Sequence, residues 1–203
     1  MKVYQVSVGP MQNFSYIVED ESTHEAIVID PSWDLEKLTE IINEQNLNPK
    51  YIVNTHWHDD HTRGNEELAK ELSVKIVQHS DSHIKNDLTV SDGDSIKFGC
   101  SELAVYHTPG HSKDGICLVG DGKIFSGDTL FVGNCGRIDL PGGSAKELYH
   151  SLFDTIGNLD DNLVLYPGHD YGSAITTTIG REKQTNPVMQ KMSEVEFVER
   201  MGG

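Results

Sequence analysis

Hydrophobic residues along the chain follow two periodicities. Short runs rich in Val, Ile and Tyr between turn-forming residues predict strands, and apolar residues spaced by three and four predict amphipathic helices. The predicted strands are residues 3–8, 14–18, 25–29, 51–53, 74–77, 95–98, 103–106, 116–119, 123–125 and 163–165. The predicted helices are residues 34–46, a helix from Asn65, residues 144–156 with Ser144 and Glu147 as a capping box, and residues 188–199, opened by Asn186 and Pro187.

The order of these elements predicts the fold class. Strands outnumber helices in the first part of the chain, and the helices are interspersed between strands. Residues 51–53 and 163–165 are apolar at every position, as in strands that are buried on both faces. The pattern contains no repeat, linker or low-complexity segment. It predicts one domain over residues 1–203, an α/β layered sandwich of two mixed β-sheets with helices outside.

The charge and the cysteines narrow the classes of partner. The 203 residues include 16 Lys and Arg against 32 Asp and Glu, a net charge of −16, which disfavours nucleic acid and anionic membranes as partners. No run of 18 apolar residues is present, and the N-terminal segment alternates apolar and polar residues. Three widely spaced cysteines predict no disulfide framework, so we expect a reducing, cytoplasmic location. We expect Cys100 and Cys117 to be small buried residues, and the role of Cys135 stays open.

Candidate chemistry is concentrated in residues 54–61, directly after a buried strand. Three imidazoles and two carboxylates lie within six residues here, and these groups are costly to bury without partners. His56 and His58, two residues apart on an extended turn, can point at one metal ion. Asp60 and His61 can face a second ion nearby. Imidazole and carboxylate ligands suit zinc, iron and manganese alike.

Three further polar residues also follow predicted strands. His111 lies after a sharp Pro-Gly turn, Asp128 after a Ser-Gly pair, and His169 after a second Pro-Gly turn. Together with residues 54–61, they predict four strand ends that converge on one edge of the sheets. The other histidines are expected to be structural or surface residues, and His107 is the nearest of them to a ligand turn; they are His24, His79, His83, His107 and His150.

The whole set, His56-x-His58-x-Asp60-His61 followed by His111, Asp128 and His169, resembles the ligand signature of the metallo-β-lactamase superfamily. The resemblance covers essentially the whole chain and implies an αββα sandwich with metals at one edge of the β-core. It implies a first metal site of His56, His58 and His111, a second of Asp60, His61 and His169, and Asp128 as the bridge between them. Asp60 and Asp128 are the candidate catalytic residues.

Residues 127–143, 166–172 and 177–187 resemble the glyoxalase II and persulfide dioxygenase branch of that superfamily. The preferred interpretation is a hydrolase with two zinc ions, or a mixed zinc and iron pair. Metal-bound hydroxide would attack a thioester such as S-lactoylglutathione, because a thiolate leaves readily.

The alternative is a persulfide dioxygenase with one iron(II) held by His56, His111 and Asp128. The resemblance then implies Arg137 and Tyr171 as substrate-binding residues, although Arg137 could instead simply pair with Asp139 and Tyr171 could pack under its loop. A third class is a non-catalytic metal-binding module. A homo-oligomer is also possible, because apolar residues of the last predicted helix could cover this chain's own sheet or a neighbour's; they are Val188, Met192, Val195 and Phe197.

Overall fold

Two six-stranded β-sheets pack face to face in the computed structural model, which describes residues 1–202. The first sheet contains, in spatial order, β1 (Lys2–Val8), β2 (Asn13–Glu19), β3 (Glu25–Ile29), β4 (Asn48–Val53), β5 (Lys75–His79) and β6 (Leu88–Val90). The second contains β14 (Thr177–Thr178), β13 (Val164–Pro167), β10 (Lys123–Gly127), β9 (Ile116–Gly120), β8 (Ser101–His107) and β7 (Ser95–Phe98). A small hairpin, β11 (Leu130–Phe131) and β12 (Asn134–Cys135), follows β10.

Strand direction decides where the functional loops lie. In the first sheet β3, β4, β5 and β6 are parallel, so their carboxyl ends share one edge. In the second sheet β10 is parallel to β13, and β9 is antiparallel to both β8 and β10, so β8, β10 and β13 end at one edge too. The space between the sheets is filled by apolar side chains that include Phe14, Phe98 and Phe125. The prediction of a two-sheet sandwich is confirmed.

Helices cover the outer face of each sheet. They are α1 (Leu35–Glu44), α3 (Asn65–Leu72), α4 (Ala145–His150), α5 (Ile179–Thr185) and α6 (Glu194–Arg200), whereas the short α2 (Asp59–Thr62) lies in the loop after β4. The chain continues from α4 through one π-helical turn, Ser151–Thr155, and a short 3-10 turn, Ile156–Asn158. Leu38 of α1 and Leu68 of α3 pack on the first sheet, and Leu148 of α4 and Phe197 of α6 pack on the second.

The predicted start of the last helix is wrong. Asn186 does not open a helix but follows the end of α5, and its side-chain oxygen accepts a hydrogen bond from the Val188 backbone N–H. The helix begins after Ser193, whose hydroxyl accepts from the Glu196 backbone N–H while the Glu196 carboxylate accepts from the Ser193 N–H. The Asn186 side chain forms a local turn instead of capping a helix, so the capping box at Ser193 sets the start of the last helix.

The C-terminal apolar residues mainly cover this chain's own second sheet. The buried ring of Phe197 lies against the rings of Tyr149 and Phe153, and Val188 is buried in the same cluster. Val195 points away and is 65% exposed. A homo-oligomer therefore stays a prediction.

The cysteines confirm one of the expectations drawn from composition and contradict another. All three cysteines are free, and Cys117 is buried as expected. The expectation for Cys100 is wrong: it lies in the tight turn between β7 and β8, after Gly99 at φ +57°, and its side chain is exposed. Within residues 1–202, no helix combines the length and the apolar character needed to cross a membrane.

Candidate metal centre

The seven predicted side chains lie together at the shared carboxyl edge of the two sheets. The loop after β4 carries four of them, and the loops after β8, β10 and β13 carry one each. Buried strands hold the base of every loop, and the turns that follow aim the polar side chains inward. Nothing in the local sequence of any single loop dictates this convergence. It follows from the parallel strand directions.

His56, His58 and His111 form the first triad, with one ring nitrogen of each within 4.8 Å of the others. The His58 Nδ1 atom lies 2.9 Å from His111 Nε2. His111 Nδ1 donates to the Arg137 carbonyl oxygen at 2.7 Å, which leaves the Nε2 lone pair facing the triad. Burial lowers the pKa of His56 and lowers that of His58 to about 4, so both rings are neutral at pH 7.

Asp60, His61 and His169 form the second triad under the same distance criterion. Asp60 Oδ2 lies 3.4 Å from Nε2 of His61 and 3.4 Å from Nε2 of His169. His169 Nδ1 donates to the Met11 carbonyl oxygen at 2.9 Å, which directs its Nε2 atom to the cluster. The triad thus holds three potential ligand atoms around one point.

Asp128 lies between the two triads. Its Oδ2 atom is 3.4 Å from His111 Nε2 and 3.3 Å from His169 Nε2, and its Oδ1 atom is 3.4 Å from His61 Nε2. Burial raises the pKa of this carboxyl, but the neighbouring His61 and His169 outweigh burial and hold the pKa well below its usual range. Asp128 is therefore an ionised, buried carboxylate in the position of a bridge.

The hydrogen bonding of the buried polar atoms indicates whether the centre fits a metal ion. Among residues 1–202, His56 Nε2 and Asp128 Oδ1 are buried and have no hydrogen-bond partner. An unpaired buried polar atom costs about 1–3 kcal/mol, and more when it is charged. A cation among neutral imidazoles and ionised carboxylates would satisfy both atoms. The donor set accordingly fits zinc, iron or manganese.

Asp30 belongs to the centre and was missed by the sequence analysis. Its carboxylate accepts from the Thr55 backbone N–H at 2.7 Å, from the Thr55 hydroxyl at 2.5 Å and from His61 Nδ1 at 3.0 Å. A carboxylate behind a metal-facing imidazole fixes the orientation of the ring. The Asp30-Pro31 pair at the end of β3 was the available signal, but it indicates only a turn. Asp30 lies 31 residues from His61 in sequence, so no local pattern links them.

A cavity of about 290 Å³ opens onto the centre. Arg137 and Tyr171, the predicted substrate residues, both line it, as does Cys135. Arg137 also pairs with Asp139, through Nε and one terminal nitrogen. The Tyr171 ring stacks on His169 at 4.4 Å between centroids, yet Tyr171 is 52% exposed. Arg137 and Tyr171 therefore each have a partner within the protein and also face the cavity where a substrate could bind.

The geometry of the centre agrees with what comparison with known proteins finds. A family model described as the Metallo-beta-lactamase superfamily matches residues 8–84 and 77–169. The chain belongs to the metallo-β-lactamase superfamily. The predicted αββα fold of that superfamily is confirmed by the two sheets and their outer helices.

Relatives within the superfamily include two kinds of enzyme. The chain is 36% identical over 193 residues to "Persulfide dioxygenase ETHE1, mitochondrial" of Homo sapiens, a match that covers 93% of this chain and 76% of that protein. It is 37% identical over 172 residues to a hydroxyacylglutathione hydrolase of Tolumonas auensis, covering 82% of this chain and 66% of that protein. The crystal structure of ETHE1 from Myxococcus xanthus matches with a TM-score of 0.95 and 30% identity over 100% of this chain and 91% of that one.

The two triads of this superfamily member are expected to load metal with different pH dependence. Burial lowers the pKa of His169, but Asp128 outweighs it and raises the pKa to about 9, and the pKa of His61 is raised as well. A metal ion must displace these protons, so affinity of the second triad should rise about tenfold per pH unit for each proton displaced, up to about pH 9. His56 and His58 are already neutral. Equilibrium dialysis against zinc should show one ion per chain at pH 6 and a second at pH 9; two ions at pH 6 would contradict this.

The three cysteines should differ in reactivity. Burial raises the pKa of Cys135 to about 12 and that of Cys117 to about 11, so neither is a thiolate at neutral pH. Cys100 is exposed. Iodoacetamide at pH 8, followed by peptide mass spectrometry, should label Cys100 in the native protein and label the other two only after denaturation. Early labelling of Cys135 would show that the cavity exposes a reactive thiol.

Proposed function

We propose that this protein is a persulfide dioxygenase that oxidises the outer sulfur of a low-molecular-weight persulfide. The observation that carries the proposal is the pair of unpartnered buried atoms, His56 Nε2 and Asp128 Oδ1. The other Asp128 oxygen, Oδ2, lies 3.4 Å from His111 Nε2. His56, His111 and Asp128 would therefore offer two imidazoles and one carboxylate to one metal ion. The sequence pattern favours hydrolysis, whereas the coverage of the two kinds of relative favours the dioxygenase.

The second triad supports a single metal because its ligand atoms have partners within the protein. Asp60 Oδ2 accepts from the Asn13 side-chain amide at 2.9 Å. The Nε2 atoms of His61 and His169 each lie 3.4 Å from the same Asp60 oxygen. These residues can remain hydrogen-bonded around the first site without a second ion, and this is the arrangement that a mononuclear centre needs.

Each part of the site would have a distinct role in this reaction. Iron(II), if bound by two imidazoles and one carboxylate, would supply the redox chemistry by which dioxygen oxidises sulfur. One persulfide, one dioxygen and one water give one thiol, one sulfite and two protons. His56, His111 and Asp128 would hold the metal, and the Arg137 carbonyl oxygen fixes the His111 ring. Tyr171 forms a wall of the cavity against which the persulfide chain can lie.

The share of each chain that the matches cover supports the dioxygenase over the hydrolase. The match to the human persulfide dioxygenase covers 93% of this chain, against 82% for the Tolumonas hydrolase. The chain spans 91% of the Myxococcus ETHE1 structure and 66% of the hydrolase. We propose a small peptide thiol as the carrier, because Arg137 lines the cavity and offers a cation to its carboxylates. The carboxylates of such a thiol would bind the Arg137 guanidinium in place of Asp139, because the exposed ion pair between Arg137 and Asp139 contributes little stability.

Thioester hydrolysis is the second candidate, and the position of Asp128 favours it. This carboxylate contacts members of both triads, as a bridging ligand between two metal ions would. Two ions supply a hydroxide nucleophile near neutral pH. Asp60 would then hold the second ion, and Asp128 would hold both. Two zinc ions, or zinc with iron, fit this candidate.

One set of measurements separates the candidates. The purified protein is reconstituted anaerobically with iron(II), and its metal content is measured by elemental analysis. We expect about one iron per chain, oxygen uptake with glutathione persulfide, formation of sulfite, and no cleavage of S-lactoylglutathione. Two metals with thioester cleavage and no oxygen uptake would establish the hydrolase instead. Bound metal with neither activity would favour the non-catalytic module.

Location, domain organisation and partners are part of the proposal. Three free cysteines support a reducing, cytoplasmic location. The net charge of −16 supports the absence of nucleic-acid and membrane partners. We treat residues 1–203 as one catalytic domain, because both sheets contribute loops to the same centre.

A further inference from the structure

Trp57 lies between two metal-ligand positions in sequence but does not take part in the metal centre. Its neighbours His56 and His58 both belong to the first triad, and the indole ring lies 6.3 Å from the His58 ring between centroids. Among residues 1–202, the side chains that line the cavity do not include Trp57, which is half-buried. Neither the metal centre nor the proposed reaction gives this large side chain a role.

The indole ring packs against a turn in the loop of residues 137–143. The Gly143 backbone N–H donates to the Leu140 carbonyl oxygen at 2.9 Å, which closes a four-residue turn with a proline and Gly142 at its centre. Gly142 has φ +90°, a positive value that the third residue of a type II turn needs. A Cβ atom at Gly142 would lie 3.1 Å from Trp57 Cζ2 and 3.3 Å from Cη2. The turn therefore lies directly against the edge of the indole.

The same loop carries two of the side chains that line the cavity, Arg137 and Leu140. At the start of the loop, the Arg137 carbonyl oxygen accepts from His111 Nδ1 at 2.7 Å. Just after its end, the Ser144 backbone N–H donates to the Gly110 carbonyl oxygen at 2.8 Å. Both ends are thus held beside the first triad. The middle of the loop rests on the indole, which is the support that places Leu140 beside the cavity.

A second ring contacts the indole from the segment after β5. The centroid of the His83 ring lies 4.2 Å from that of Trp57, and the two planes meet at 70°. This edge-to-face arrangement is favourable between aromatic rings. The indole therefore has a neighbour besides the turn, and it loses little further freedom when the turn packs against it.

We propose that Trp57 is a positioning residue for substrate binding, because its ring supports the turn at Gly142. That turn in its place fixes Leu140 and Arg137 beside the cavity. The inference rests on the proposed function in one respect, that the cavity binds the substrate, and it holds for a persulfide or a thioester. Without the indole, the loop opens more often and the two side chains leave the cavity wall. Substrate then binds more weakly, while the metal ligands stay in place.

Steady-state kinetics of the metal-loaded protein test the effect on substrate. We expect Trp57→Ala to raise KM about tenfold and to leave kcat within about twofold of wild type, since it weakens binding that the ground and transition states share. Trp57→Phe keeps an aromatic ring under the turn and should recover most of the lost affinity. The substrate is glutathione persulfide or S-lactoylglutathione, whichever the wild type turns over. An unchanged KM in folded, fully metallated Trp57→Ala would overturn the proposal.

Limited proteolysis gives a readout that does not depend on activity. Trypsin can cut after Arg137, within the loop, and cleavage follows the population in which the loop is open. On zinc-loaded protein, the peptide that ends at Arg137 should appear about tenfold faster from Trp57→Ala than from wild type. Equal rates of cleavage would also overturn the proposal. Failure of the wild type to turn over either substrate would contradict the proposed function and would leave this measurement valid.

Two further variants separate support of the loop from metal binding. Gly142→Ala leaves Trp57 and the ligands intact but adds a Cβ atom against the ring at a residue with positive φ. It should raise KM and speed cleavage as Trp57→Ala does, even if Trp57→Ala fails to hold metal. His83→Ala is the matched control, because His83 is an exposed residue that contacts the indole and lies outside the loop. Its KM and cleavage rate should equal those of wild type. An effect as large as that of Trp57→Ala would assign the change to general loosening around the indole and would overturn the proposal.

Discussion

Replacement of Asp128 by alanine is expected to abolish metal binding and activity together. The carboxylate contacts His111 on one side and His61 and His169 on the other, so its removal leaves each triad without its shared anion. Loss of a single electrostatic contact in an active site costs about 10²–10³-fold in rate. Loss of the metal should cost at least about a thousandfold. Elemental analysis and either of the two assays would measure the two losses on the same sample.

The matched control for this variant is His150→Ala. The His150 ring is 47% exposed and pairs with Asp154 and Glu194 at the surface, so metal content and turnover should equal those of wild type. Asp128→Asn keeps the shape of the side chain and removes its charge, and it should lose metal as well. Native metal content and full turnover in a folded Asp128→Ala protein would show that the bridging position is not functional.

Asp30→Asn is expected to weaken metal binding without direct contact between residue 30 and the metal. The substitution removes the charge that accepts from His61 Nδ1 and from two groups of Thr55. Loss of an outer partner of a metal-ligating histidine costs about 10–100-fold in affinity. Asparagine tolerates the positive φ of +50° at this position, so the backbone should be unchanged. Alanine would add strain and would confuse the comparison.

Chelator-induced metal release, kcat and KM together test this positioning role. We expect release to be faster, KM for substrate to be near that of wild type, and kcat to recover when metal is in excess. Asp59→Asn is the control, because Asp59 is an exposed carboxylate close to the ligands that pairs with Arg63. A purely structural role would lower thermal stability without changing metal release. Identical release from Asp30→Asn and wild type would therefore exclude the positioning role.

Some elements could not be predicted because their causes are not local. Helix α5 contains Gly180 and has no long apolar stripe, and it forms where Glu182 accepts hydrogen bonds from Gly133 and Asn186. The two-residue strands β11, β12 and β14 are shorter than any periodic pattern can indicate. The same limit applies to β6, which pairs along one edge of β5.

The sequence by itself determined the layered α/β class, most strands, and the spacing of the seven candidate ligands. These features depend on periodicities of two and three to four residues and on turns beside each polar group, which are local properties. The tertiary structure alone decided that Asp30 lies behind His61 and that His79 stacks on His107. Those contacts join residues about 30 apart in sequence. They exist because parallel strand ends meet at one edge, and strand order is a property of the assembled sheets.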